Sequence, residues 1–330
     1  IIKIIGRDYM FNIKQLTKGN NMNNLKKVGL TALGTALVTV GSAQAADWSV
    51  SGGTSINFNG NDNGDTGNGW TMTDSVTFAS SGELDNGMSV AFTLELDGNV
   101  MDTRTLAITT DGMGTITFSG DGASGPIGSW DDMTPTANEE AHGSTLAGTM
   151  SAPVSAAGTN DIFVYDYTIM DGLAFKASYT PSDKGTEIES SQDYGVMYTG
   201  MEGLTIYAAA GENNGDAAKI DNSIFGVKYA MGAVTIGYQT NEVDSTGTNG
   251  DSDFTAAGIS YAVSDDLSVS YNISEVDFEG GTNNQEATGV SFSYTSGGMT
   301  LSGSHHQVDN VGGTATADNT GYELNLSFAF

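Results

Sequence analysis

From Trp48 to Phe330 the chain alternates apolar and polar residues in short runs, and this two-residue period restricts the fold more than any other feature. In the last run Tyr322, Leu324, Leu326, Phe328 and Phe330 fall on one face of a strand, and Glu323, Asn325, Ser327 and Ala329 on the other. Val90, Phe92, Leu94 and Leu96 likewise oppose Ser89, Ala91, Thr93 and Glu95, and Leu267, Val269, Tyr271 and Ile273 oppose Ser268, Ser270 and Asn272. An apolar face repeated on so many strands must meet either a protein core or lipid.

Counting the runs predicts sixteen strands: one near 48–58, seven pairs between 71 and 307, and a last one at 320–330. Within pairs the connections are tight, as at Asp85-Asn86-Gly87, Asp111-Gly112, Asp171-Gly172 and Met231-Gly232. Between pairs they are long and rich in Gly, Asn and Asp, as at 59–70, 212–221 and 242–252. Strands of about 9–11 residues cross a bilayer when tilted. Short turns at one end and long loops at the other are the asymmetry of a transmembrane β-barrel. The fold class read from the sequence is therefore all-β, a 16-stranded antiparallel transmembrane barrel. One connection, 121–160, is forty residues long with little alternation, a length that in a compact domain is usually functional.

Composition fits a wet interior. The chain is 38% hydrophobic, below the roughly 45–50% of water-soluble domains. It has no Cys, which excludes disulfides and thiolate metal sites. Met22 to Lys27 is a basic start, Val28 to Val40 an apolar stretch too short to span a bilayer, and Ala43-Gln44-Ala45 a small-residue cleavage site, so 22–45 reads as a signal peptide. Residues 1–21 read as an over-extended N-terminus and 46–330 as the barrel domain. From residue 46 onward five basic residues (Arg104, Lys176, Lys184, Lys219, Lys228) stand against 39 acidic ones (40 less Asp8), a formal charge of −34. Nucleic acid is excluded as a partner, because binding phosphates needs clustered Lys and Arg. Cations are favoured.

Sixteen strands, long loops with the third the longest, a leader segment and the terminal Phe330 resemble the general diffusion porins of Gram-negative bacteria, most nearly the acidic, Cys-free alphaproteobacterial type. The resemblance implies an outer-membrane homotrimer, with the third loop folded into each barrel to narrow a pore for small hydrophilic solutes and cations. It also implies that the barrel-assembly machinery reads Phe330, and that no catalysis or cofactor is involved. In such porins acidic residues of the third loop face a basic cluster across the pore. Here Asp131, Asp132, Glu139 and Glu140, near Trp130, supply the acidic half. The basic half is thin. Arg104 shares the parity of Leu106 and Ile108, which points it outward unless a bulge re-aims it, whereas Lys176 and Lys228 have lumen parity. Glu95, Asp166, Asp193 and Glu323 also have lumen parity and are acidic.

Other readings have less behind them. Asp62 and Asp65, and Asp251 and Asp253, supply oxygen ligands suited to Ca²⁺ but lack a full calcium-loop motif, and solvated loop is the plainer reading. His305 and His306 lie near Ser302 and Ser304 without a partner acid or oxyanion arrangement, and His142 reads as a loop residue. A secreted acidic calcium-binding β-rich surface protein or adhesin is the alternative function, but it should show a short fixed repeat, and none is found.

Overall fold

The computed structural model describes residues 47–61, 68–141, 160–182, 189–214 and 218–330. The expected leader 22–45, the extension 1–21, Asp62, Asp65, His142 and the later part of the 121–160 connection lie outside them. Among the described residues sixteen strands form a closed antiparallel barrel, each paired with its sequence neighbour and the first with the last. They are β1 (Asp47–Asn61), β2 (Trp70–Glu83), β3 (Ser89–Asp97), β4 (Val100–Thr110), β5 (Gly114–Asp121), β6 (Ile162–Met170), β7 (Leu173–Thr180) and β8 (Ser191–Tyr198). Then follow β9 (Leu204–Asn213), β10 (Ile220–Met231), β11 (Val234–Ser245), β12 (Ser252–Ala262), β13 (Leu267–Phe278), β14 (Gln285–Ser296), β15 (Met299–Asp309) and β16 (Asn319–Ala329). A five-residue helix, α1 (Pro126–Trp130), follows β5.

The strands form because β-branched, aromatic and small polar residues alternate along them, and closure removes every sheet edge. At the seam Phe330 donates its N–H to Gly52 O at 2.9 Å and accepts the Gly52 N–H at 3.2 Å, so the last residue completes the ring. Polarity is inverted relative to a soluble sandwich. Val290 is 50% exposed while its neighbour Ser291 is 6% exposed, and Tyr271 is 48% exposed beside Asn272 at 2%. The outward faces are apolar and the inward faces carry Ser, Thr, Asn, Gln and Gly, the arrangement that lipid outside and water inside require.

Two expectations about connections need correction. The β3–β4 join is only Gly98-Asn99, so the connections between pairs are not uniformly long. At 242–252 much of the expected loop is strand, since β11 continues to Ser245 and β12 starts at Ser252.

Candidate functional site

After β5 the chain turns into the barrel, and residues 122–141 run along the inner wall from β7 round to β16. Gly125 is extended, and Pro126 at the first helical position needs no N–H partner, so α1 can start against the wall. The free amide of Ile127 donates to Asp193 Oδ2 at 3.1 Å, and Ser178 Oγ donates to the other oxygen of the same carboxylate. Lys176 Nζ donates to Ser129 Oγ at 2.7 Å. Trp130 then packs into an apolar patch of Ile127, Tyr207, Ala209 and Ile224, its ring centroid 6.1 Å from that of Tyr207.

Beyond α1 the loop is held through its backbone. Met133 N–H donates to Gln239 Oε1 at 3.1 Å, and Gln239 Nε2 in turn donates to the Asp131 carbonyl. Tyr207 Oη donates to the same Gln239 oxygen at 2.6 Å. Asn272 Nδ2 donates to the Pro135 carbonyl at 2.9 Å, and the amides of Ala137 and Asn138 donate to Ser270 and Ser291 at 2.9 and 3.1 Å. Asn138 Nδ2 donates to Glu323 Oε1 at 2.5 Å, which Ser304 Oγ also reaches at 3.0 Å. Each bond is worth about 0.5–1.5 kcal/mol net, and more where a carboxylate accepts. Together they fix the course of the loop without using its acidic side chains.

Those side chains divide. Asp132 is exposed to the lumen, while Asp131, Glu139 and Glu140 are half-buried. Burial, then the neighbouring Asp132 charge, pushes Asp131 up to about 6. Burial and the nearby Glu323 carboxylate push Glu139 up to about 7. For Glu140 burial outweighs the favourable backbone bond and the Lys228 charge, giving about 7. Glu139 is turned toward the wall: its Oε2 is buried and has no hydrogen-bond donor among the described residues.

Among the described residues no basic side chain faces this loop across the pore. Lys176 lies beneath α1 in register with Asp166, and Lys228 lines a recess under the loop with Asp132 and Glu140. Glu95 is inward on the far side, in one open recess with Asp97 and Ser75. Arg104 is not a wall residue. The β4–β5 ladder has a bulge beside it, yet Arg104 stays exposed opposite Leu94, its guanidinium donating to the Gly120 carbonyl at 3.4 Å, because the extra residue lies on the β5 side. Asp251 accepts the Ser245 amide at 2.8 Å, and Asp253 sits exposed between Glu242 and Asp277 in register. Among the described residues no three His, Asp or Glu side chains converge to hold a metal ion. His305 points outward opposite Val290 and Tyr322, and His306 inward beneath the loop.

Sequence reasoning missed Gln239, Asn272, Ser270 and Ser291, which hold the loop, and the inward glycines Gly195, Gly237, Gly258 and Gly289 beneath it. A glycine inside a strand can mark close backbone approach, and that was the available signal.

Comparison with known proteins adds the following. The sequence model described as Gram-negative porin matches residues 30–294. No curated protein matches the sequence. Among solved structures, the anion-selective porin from Comamonas acidovorans superposes with a TM-score of 0.68 at 14% identity, covering 87% of this chain and 100% of that one. A mutant of the Rh. blastica porin gives 0.63 at 16% identity, covering 86% and 100%. The trimer form of an outer membrane protein of Vibrio cholerae gives 0.61 at 13%, covering 87% and 100%.

Proposed function

Because this chain belongs to the Gram-negative porin family, whose members are outer-membrane channels and not enzymes, we propose that its water-filled pore prefers cations and passes small hydrophilic solutes by passive diffusion. One observation carries the reading. Among the described residues no basic side chain stands across the lumen from the loop carboxylates: Lys176 and Lys228 are on the loop's own wall, and Glu95 and Asp97 are on the other. Fixed carboxylates in a narrow, low-dielectric passage concentrate cations and repel anions. The Debye length of about 8 Å at physiological salt keeps a passage of that width within reach of its charges. The anion-selective Comamonas neighbour has a similar fold, so the fold does not set the sign of selectivity; the lining does.

In this reading Asp132, with Asp131 and Glu140, bounds the constriction, Glu95 and Asp166 add negative wall, and Asp193 and Glu323 lie buried beneath the loop. Trp130 anchors the loop through its apolar packing, and Glu139 is turned toward the wall. A homotrimer is the proposed assembly, by analogy with the trimer form of the Vibrio cholerae neighbour. The exposed ring of Phe330 at the barrel seam is the proposed contact for the assembly machinery.

The test neutralises Asp131, Asp132 and Glu140 together as Asn, Asn and Gln. The K⁺ over Cl⁻ permeability ratio of the inserted channel should fall toward unity, by about threefold or more if the three charges dominate the local field. An unchanged ratio would refute the assignment.

A further inference from the structure

On β11, β12 and β14 the residue directly beneath the constriction loop is a glycine. Gly237 pairs with Gly258, Gly258 with Asn272, Asn272 with Gly289, and Gly289 with His306, so all lie in one cross-strand row on the inner face. The loop lies against this row. A Cβ at Gly237 would overlap the Pro135 ring at Cδ and stand 3.0 Å from its Cγ. At Gly258 it would stand 2.7 Å from the Pro135 carbonyl oxygen and overlap the Asn272 amide that donates to that oxygen. At Gly289 it would stand 3.2 Å from the Ala141 Cα and overlap the His306 ring. Pro135 and Ala141 are both buried.

We infer that Gly237, Gly258 and Gly289 are positioning residues of the pore: their missing side chains set how far the loop stands into the lumen, and so the size of solute admitted. Carbon atoms pack at about 3.5–4.0 Å, so one methyl group at Gly237 must lift Pro135 by roughly 1 Å. The barrel wall is tied by ladder bonds on both sides, whereas the loop is held by single bonds. The loop therefore yields, and it can move only toward the pore. The glycines thus act through the loop, without touching the solute.

The inference rests on the channel reading, and the experiment separates the two. Unit conductance and the solute exclusion limit (liposome swelling with sugars of graded size) are measured for the unaltered chain and for Gly237→Ala, Gly258→Ala and Ser270→Thr. Ser270→Thr keeps the hydroxyl that accepts from Ala137 and adds one methyl, a change a strand tolerates well. Gly53→Ala adds a methyl on the inner face of β1, away from the loop, and serves as the control. The expected result is a fall in conductance on the order of 1.2- to 2-fold, with a lower exclusion limit, for each loop-side variant, and none for the control. Adding Pro135→Ala to Gly237→Ala removes the ring atoms the methyl meets and should restore conductance, which a general loss of barrel stability would not do. Loop-side variants with unaltered conductance and exclusion limit would overturn the inference while leaving the channel intact. No openings from the unaltered chain would overturn both.

Discussion

Asp131, Glu139 and Glu140 sit in the pore loop with carboxyls held up at about 6, 7 and 7, chiefly by burial. An acid is charged above its pKa, so all three carry charge at pH 8 and take up protons as the pH falls through 7 and 6. Ordinary exposed carboxylates change only near 4. Cation preference should accordingly decline between pH 8 and pH 5, and reversal potentials across that range would show it. A preference constant down to pH 5 would show that these three carboxyls do not set the selectivity. At the same scale Gln239 joins Met133, Asp131 and Tyr207 from one side chain. Gln239→Leu leaves the part-buried Met133 amide and the buried Tyr207 hydroxyl without their partner, each costing up to about 1–3 kcal/mol. The expected outcome is a folded barrel with noisier single-channel currents, read as broadened open-state conductance.

At the scale of elements, the strands were legible because each carries its own signature: alternation fixes both the strand and which face meets lipid. The β14 run Val290, Ser291, Phe292, Ser293 reads correctly with no tertiary information. The two-residue Gly98-Asn99 turn was not legible, since a polar Gly/Asn pair suits a tight turn and a long loop equally well. The loop's course was illegible for a different reason. It depends on side chains from β8, β11, β13 and β14 converging on one backbone, and single residues such as Asn272 or Ser270 look like any inward polar position. Its acids were visible in sequence, but the turn of Glu139 toward Glu323 and the placement of both inward lysines on the loop's own wall follow only from closure. The β1–β16 seam gives a further prediction. Deleting Phe330 removes its two backbone bonds to Gly52, worth about 1–3 kcal/mol together. The shortened barrel should lose its compact, heat-modifiable gel mobility at a lower temperature than the full chain.

For the whole molecule the governing quantity is charge. From residue 46 onward the formal balance of −34 is carried by a barrel whose lipid-facing belt is apolar, so the carboxylates collect in the lumen and at the two ends, in the tight turns and in the longer loops. Lys219, one of the few cations, is already paired with Glu212 at 2.6 Å on the surface. Among the described residues the lumen is left without a positive wall to oppose the loop. The most direct test is the zero-current potential of the refolded chain in a planar bilayer under a tenfold KCl gradient at pH 8. The account predicts stepwise openings and a potential of the cation-selective sign. Openings with the anion-selective sign, or with no potential, would contradict it.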